Sequence, residues 1–420
     1  MTSFTSVGVG FGPSNISLAI ALEERGAIGR NSGHVFFDDR REPDWHPGLM
    51  YPEATMQISF LKDLITMVNP QSKYTFLNYL SAKGRIHDFI NLRSFYPRRT
   101  EFEDYVKWCA GELAPFAQFE TRVADIRPTD PDNIGRSDLT LTIEASNSGS
   151  RQDIRTSSVI VADGGFPAWP LPRARSCFQR VIHSAGTLHH IHDLTPERAG
   201  QYVFHIVGSG QSSADTFAYI AGAFPNAKIV LSHRAYAMRP EDDSHFVNEL
   251  FMPQAVDAFH EMSAEWRQKI LKDYWHVTHN GVTIDLLPKL YEMVYYDRAN
   301  GVNRFQFNRF SEIVDAEEGS DRSVAIMRDM TDGSCFEVAA DVTILATGYD
   351  RPCVHPLLEG LTDHLLIDGE TNSYNIDRNY KVQTEQECGF QVFLQGYGER
   401  SHGFSEALLS LMPERAARIA

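Results

Sequence analysis

Two segments of this 420-residue chain share one design, an apolar strand that runs into a glycine-rich turn and then into a helix, and that repetition limits the folds available. The first is Phe4-Thr-Ser-Val-Gly-Val-Gly-Phe-Gly-Pro-Ser-Asn15, followed by apolar residues at helical spacing. The second is Tyr202-Val-Phe-His-Ile-Val-Gly-Ser-Gly-Gln-Ser-Ser-Ala-Asp215. Gly8 permits the tight turn after its strand and Gly10 lets the backbone approach a pyrophosphate. Gly12, Pro13 and Ser14 lead into a helix whose open N–H groups face the negative charge. Gly208, Gly210 and Ser212 repeat the arrangement. Neither turn is a clean G-x-G-x-x-G, because Pro13 and Ser213 hold the sixth position. Proline suits a first helical turn, where its missing N–H has no partner to lose, and serine is small enough for close packing. One degenerate turn is weak evidence; two in the same setting predict two dinucleotide sites.

The expected fold is therefore α/β, with two Rossmann-like dinucleotide-binding domains and a small substrate-binding region. Ser157-Ser-Val-Ile-Val-Ala-Asp-Gly-Gly165 and Asp341-Val-Thr-Ile-Leu-Ala-Thr-Gly-Tyr349 read as further strands. The proline-rich Phe166-Pro-Ala-Trp-Pro-Leu-Pro172 reads as a crossing between domains. An acid placed to hold a ribose follows the first turn at Asp38, in Val35-Phe-Phe-Asp-Asp39; a solvated turn acid is the other reading. After the second turn the strand Ala227-Lys-Ile-Val-Leu-Ser-His-Arg234 ends in a base. Arg234, with Arg239 in reserve, is placed to pair with the 2′-phosphate that distinguishes NADPH from NADH, unless it is a plain surface arginine.

Composition narrows the function. No stretch approaches the roughly 20 apolar residues of a membrane-spanning helix, and the start of the chain lacks the basic and apolar regions of a secretory signal. The five cysteines form no C-x-x-C pair, which disfavours a dithiol reductase and any half zinc site and suggests reduced thiols in a cytoplasmic protein. No metal is expected. A formal charge of −16 argues against nucleic acid and anionic membranes as partners; it fits a cationic substrate and equally fits simple solubility. The linker Phe178-Gln-Arg-Val-Ile-His-Ser184 lacks the F-x-G-x-x-x-H-x-x-x-W pattern of ring-inserting flavin monooxygenases.

Several further segments carry a resemblance: Met56-Gln-Ile-Ser-Phe-Leu-Lys-Asp-Leu64, Asp88-Phe-Ile-Asn-Leu92, Phe95-Tyr-Pro-Arg98, Asp242-Asp-Ser-His-Phe-Val-Asn248, Leu345-Ala-Thr-Gly-Tyr349, Ser401-His-Gly-Phe-Ser405 and Leu408-Leu-Ser410. With the two glycine turns they make the chain similar, over nearly its whole length, to the flavin-dependent N-hydroxylating monooxygenases, above all the bacterial L-ornithine N(5)-monooxygenases of siderophore biosynthesis. The resemblance implies FAD and NADPH as cofactors. It divides the chain into 1–165 (first part of an FAD domain), 166–339 (an NADPH domain, with a substrate segment at about 240–300) and 340–420 (second part of the FAD domain). It implies an FAD pocket lined by Trp45, His46, Thr347, Gly348 and Tyr349, with Gln57 against the flavin and Gln211 touching NADP. Lys62 would hold a substrate α-carboxylate, Asn248 would contact the substrate and nicotinamide side, and Ser410 would lie near the amino-acid end. The reaction implied is side-chain amine hydroxylation with O2 through a C4a-hydroperoxyflavin, in a homo-oligomer (dimer or tetramer). Read without the family, Lys62 is a surface lysine beside Asp63, Asn248 a helix cap and Ser410 a packing residue.

One position departs from the family pattern. In His276-Val-Thr-His-Asn-Gly-Val282, Thr278 stands where ornithine enzymes carry an asparagine that engages the substrate carboxylate, so recognition is weakened there or rerouted through His279 or Asn280. Lysine, putrescine, cadaverine or another amino acid therefore stays open beside ornithine. A flavoprotein that oxidises NADPH without a substrate is the reading of another class, and Thr278 is its sole support.

Overall fold

The computed structural model describes residues 1–29, 32–279 and 281–420. Its first sheet sets five strands side by side, all parallel: Ala117–Gln118, His34–Phe37, Ser3–Val9, Arg151–Val161 and Gln391–Leu394. Val7 pairs with Val35 on one side and Val159 on the other, and Val159 pairs in turn with Val392. Val7, Val159 and Val392 are buried, as the near-continuous apolar runs of a sheet covered on both faces require. Thr121–Pro128 and Leu139–Ala145 extend the sheet antiparallel from the first half of Arg151–Val161. Ile16 and Ile20 of the helix Pro13–Glu24 and Phe102 and Tyr105 of Arg99–Glu112 share one core cluster.

The second sheet is also wholly parallel, in the order Phe305–Arg309, Lys228–His233, Val203–Val207, Val342–Leu345, Val181–His183. Helices Gln211–Ala223 and Leu286–Ala299 bury Phe217, Ile220, Leu290 and Val294 in its main core. An antiparallel meander, Ser311–Glu318, Ser323–Asp329 and Cys335–Ala340, packs Ile313, Ala325 and Met327 against Val207, Val230 and Leu345.

The boundary expected at 339/340 is displaced. Val342–Leu345 is the strand between Val203–Val207 and Val181–His183, so the second sheet is completed by residues assigned to the other domain. A four-residue apolar run does not reveal which parallel sheet it enters. The chain leaves this sheet only at Tyr349–Asp350, which pairs antiparallel with Phe166–Pro167, so that the outward and return crossings run side by side.

Three contacts fasten the sheets to each other. Gly48 passes so close to the second domain that a Cβ there would lie 1.9 Å from the Ala185 carbonyl oxygen. Tyr51 stacks on Tyr219 with ring centroids 4.8 Å apart, and its hydroxyl meets Thr216 Oγ1 at 2.9 Å. Arg99 Nη1 lies 2.9 Å from Asp215 Oδ2, with side chains only 13% and 6% exposed.

His183 and His205 are wholly buried, and the withdrawal of water lowers their pKa from 6.5 to about 4 and about 3. As pH falls below 6.5 the unfolded chain binds protons at these positions and the folded chain does not, so stability is lost progressively down to about pH 4. The unfolding temperature is expected to fall between about pH 7.5 and about pH 5; a flat or rising profile would contradict this reading.

Candidate active site

The two glycine turns are the same device built twice, but in a different register from the one expected: Gly8 lies inside the strand Ser3–Val9, paired with Phe36, and it is Gly10 and Gly12 that correspond to Gly208 and Gly210. Gly12 and Gly210, which precede the two helices, have backbone angles of −87°/−173° and −88°/−172°, and neither helix start carries a side-chain cap or an acidic residue in its first turn. Gly10, at φ +80°, could not bear a Cβ, which would lie 2.7 Å from the Ala162 carbonyl oxygen; at Gly208, φ +142°, the equivalent distance to Ala346 is 2.3 Å. Each turn is thus pressed against the end of the next parallel strand, with bare helix amides above it. That arrangement fits the pyrophosphate of a dinucleotide.

The first turn is braced from the C-terminus. Arg415, on the helix Met412–Ile419, is buried and donates from Nη2 to Ser14 Oγ at 3.0 Å and from Nε to Gln395 Oε1 at 3.1 Å. Gln395 donates to Asn15 Oδ1 at 2.8 Å, and Asn15 donates to the Val9 and Gly10 carbonyls. Glu406, equally buried, balances the charge at 3.2 Å. The Ser14 hydroxyl therefore serves this network.

Asp38 is neither solvated nor free. It is 3% exposed and its carboxylate takes the Phe11 N–H at 2.7 Å and three donors of Arg40. Trp45 packs on Phe102 at 5.7 Å. His46, in a left-handed backbone conformation, lies edge-on to Tyr349 at 5.5 Å. Its ring keeps an edge open, yet loss of water and the positive charge of Arg99, Arg351 and Arg40 lower its pKa to about 4, so it is neutral at pH 7. Thr347 donates to the Ala168 carbonyl at 2.6 Å, and the Gly348 carbonyl accepts from Ala168 N. These residues hold the domain crossing together.

On the second turn, Gln211 spans two partners, donating to Asp215 Oδ1 at 2.9 Å and accepting from Thr283 N at 2.8 Å. The Ser212 carbonyl accepts from Thr216. Arg234 follows the strand Lys228–His233, whose Ser232 carbonyl takes the Gly208 N–H at 2.9 Å. It is exposed and makes no ion pair among the described residues. Arg239 is exposed on the short strand beside Gly281.

The substrate-side residues are gathered by two contacts. Gln57 Nε2 donates to Glu241, which ties the loop of Lys62 to the segment of Asn248. The short helix Val247–Phe251 packs against Phe404–Ala407, which leads to Ser410. Asp63 is not the partner of Lys62: it accepts from Ile65 N, from Phe76 N and from both the N–H and hydroxyl of Thr66. Lys62 pairs with no carboxylate among the described residues. Asn248 donates from Nδ2 to the Asp243 carbonyl at 2.7 Å, which leaves its own carbonyl oxygen uncommitted. Ser410 is buried with its hydroxyl unpartnered among the described residues. The Thr278 hydroxyl meets His279 Nδ1 at 2.9 Å, and His279 stacks on Trp275 at 3.6 Å. Asn280, the other candidate there, lies outside the described residues.

Residues 2–351 match the L-lysine 6-monooxygenase/L-ornithine 5-monooxygenase family. The chain belongs to this family. Within it, the chain is 34% identical over 414 residues to the L-ornithine N(5)-monooxygenase of Pseudomonas aeruginosa, covering 98% of this chain and 92% of that protein. It is 36% identical over 404 residues to that of Burkholderia cepacia, covering 96% and 90%. Among solved structures, the ornithine hydroxylase of Pseudomonas aeruginosa superposes with a TM-score of 0.91 at 34% identity, over 100% of this chain and 98% of that one. The ornithine N-hydroxylase of Kutzneria sp. 744 gives 0.92 at 30% identity, over 99% and 98%. No helix among the described residues is long and apolar enough to cross a membrane.

This member of the monooxygenase family has site features that motif reading does not reveal. Arg99 and Asp215 join the two domains directly beneath the second turn, and Glu241 sits on Gln57 with its carboxyl pushed above the ordinary range by burial. Asp163, at the end of Arg151–Val161, accepts from the Tyr397 hydroxyl at 2.7 Å and from His355 Nε2 at 3.0 Å. The spacing of Asp215 one helical turn after Gln211 was the available signal; the others depend on long-range contacts. Asp215→Asn is expected to cost about 3 kcal/mol or more in denaturant unfolding, because it strands Arg99 in a buried position. A loss below about 0.5 kcal/mol would place the pair with solvent-screened surface bridges.

Proposed function

We propose that this protein uses FAD, NADPH and O2 to hydroxylate the side-chain amine of L-ornithine, as a cytoplasmic homo-oligomer. The observation that carries the reading is that three side chains of the substrate region each retain an uncommitted polar atom: the Lys62 ammonium, the Asn248 carbonyl oxygen and the buried Ser410 hydroxyl. An amino acid with a distal amine supplies the matching groups, a carboxylate for Lys62 and an N–H donor for Asn248. That both named ornithine relatives are aligned over nearly their whole length supports the choice of substrate.

FAD reduced by NADPH supplies, with O2, an electrophilic oxygen for transfer to the amine nitrogen. FAD would lie on the turn Gly10–Ser14, beside Trp45, His46 and Gln57, and NADPH on the turn Gly208–Ser212. What remains for the protein is to present an unprotonated amine, since a free alkylamine has a pKa of about 10.4. Partial desolvation favours the neutral amine, and Asn248, accepting through an uncharged carbonyl, orients it without the carboxylate charge that would hold the proton. Lys62 fixes the other end of the substrate, and its separation from Asn248 sets the chain length accepted.

Lys62→Ala is expected to raise KM for ornithine about 10- to 100-fold by removing roughly 1.5–3 kcal/mol of charge-assisted hydrogen bonding, with kcat changed far less. An unchanged KM would move the carboxylate elsewhere. Thr278, its hydroxyl engaged by His279, favours testing lysine, putrescine and cadaverine beside ornithine in a hydroxylamine assay. Peroxide without hydroxylated product from every amine would exclude the reading.

Arg234, without an ion pair among the described residues and placed at the end of the second strand of its βαβ unit, is the NADPH-selecting residue in this proposal. Wild-type protein should prefer NADPH to NADH, and Arg234→Ala should reduce that preference about tenfold or more by loss of a charged contact to the 2′-phosphate. Equal use of both nicotinamides by the wild type would remove Arg234 from this role.

A further inference from the structure

The two nucleotide turns are alike in backbone but not in the charge that guards them. At the first, the Asp38 carboxylate accepts from Phe11 N at 2.7 Å and from Arg40 N, Nε and Nη2 at 2.9, 2.8 and 2.6 Å. A carboxylate offers about four acceptor positions, so Asp38 has none left for a ribose. Arg40 is the group that faces outward. Its Nη2 lies 3.9 Å from where a Cβ of Gly12 would be, so the guanidinium overlies the glycine turn, and its side chain is 37% exposed against 3% for Asp38. Of about five guanidinium N–H donors, Nε and one on Nη2 go to Asp38 and one on Nη1 to the Asp44 carbonyl. Two donors remain. Arg40 is thus a fixed pair of N–H groups whose positive charge is already balanced.

We propose that Arg40, held in place by Asp38, is the residue that receives the adenosine ribose at the first turn. Asp38 is its positioning residue and makes no contact of its own with the nucleotide. The inference rests on the reading that FAD occupies this turn. It also accounts for how one chain with two nearly identical turns sorts its nucleotides. A charge-balanced arginine donates to neutral ribose hydroxyls and gains little from a 2′-phosphate, whereas Arg234 at the second turn has no carboxylate partner among the described residues and keeps its full charge for one.

The test measures equilibrium binding of FAD to the full chain freed of nucleotide, and its displacement by ADP or by adenosine 2′,5′-bisphosphate. Arg40→Gln is expected to raise Kd for FAD about tenfold or more while KM for NADPH, at saturating FAD, stays within about twofold. Asp38→Asn should also weaken FAD. By leaving Arg40 unbalanced, it should in addition shift displacement in favour of the 2′-phosphorylated nucleotide. The double variant should lose little more than either single one, because the two residues act as a unit. Arg40→Lys, which keeps the charge but not the fork, should weaken FAD as well and serves if the glutamine variant fails to fold. FAD affinity unchanged in both Arg40 variants, or undiminished by Arg40→Gln while Asp38→Asn alone reduces it, would overturn the assignment and return the ribose to Asp38. A wild-type chain that binds no FAD would overturn this inference together with the reading beneath it.

Discussion

The geometry of the cleft depends on the buried ion pair between Arg99 and Asp215. The pair joins the start of a helix on the first sheet to the second turn of the helix that carries the second glycine motif. Two parallel sheets joined by paired crossings at Phe166–Pro167 and Tyr349–Asp350 are held against rotation by this pair together with the contacts of Gly48 and Tyr51. Asp215 also holds Gln211, and Arg99 Nε reaches the Thr55 carbonyl two residues before Gln57. One carboxylate and one guanidinium therefore set the second glycine turn against the loop that carries Gln57 and Lys62. Burial makes the pair costly to form and costlier still to break on one side, which suits a contact that must not slip.

Around this clamp the polar groups divide into those whose hydrogen bonds are complete and those whose hydrogen bonds are not. Asp38, Asp63, Gln211 and Arg415 each satisfy other protein groups, and they hold turns, loops and helices in place. Lys62, the Asn248 carbonyl and the Ser410 hydroxyl do not. A buried hydroxyl without a partner costs free energy unless a ligand supplies one, and under the proposed function the Ser410 hydroxyl, in the short turn Leu409–Leu411, would find that partner in the substrate.

The two dinucleotide folds were legible because glycine has no substitute where the backbone must come within contact of the next strand, as Gly10 and Gly208 do. Residues 157–165 read as a strand from their apolar run, and of these 157–161 form the end of the longer strand Arg151–Val161, whose polar first half gives no such signal. The allocation of Val342–Leu345 was not legible, since strand pairing is set by long-range packing that short apolar runs do not encode. The same limit applied to Asp38. Its place after the second strand was readable, but the arrival of Arg40 and Phe11 on the same two oxygens was not, because it needs the fold of the intervening turn. Arg99 and Asp215, 116 positions apart in the numbering, share no local pattern at all.

At the substrate end Thr278 stands apart from the family pattern, and the physical consequence is specific. An asparagine amide would bring two N–H donors to a carboxylate, whereas the Thr278 hydroxyl brings one and already meets His279. His279 is itself pinned by its stack on Trp275 and cannot swing freely to compensate. Under the proposed function, recognition of the carboxylate would then rest on the charge of Lys62 and the single hydroxyl of Ser410, which is attraction with little directional constraint. The amine end keeps its constraint, because Asn248 is oriented by the Asp243 carbonyl. Such a site discriminates by the distance between a cation and a fixed acceptor, that is by chain length, more sharply than by the shape of the amino-acid end.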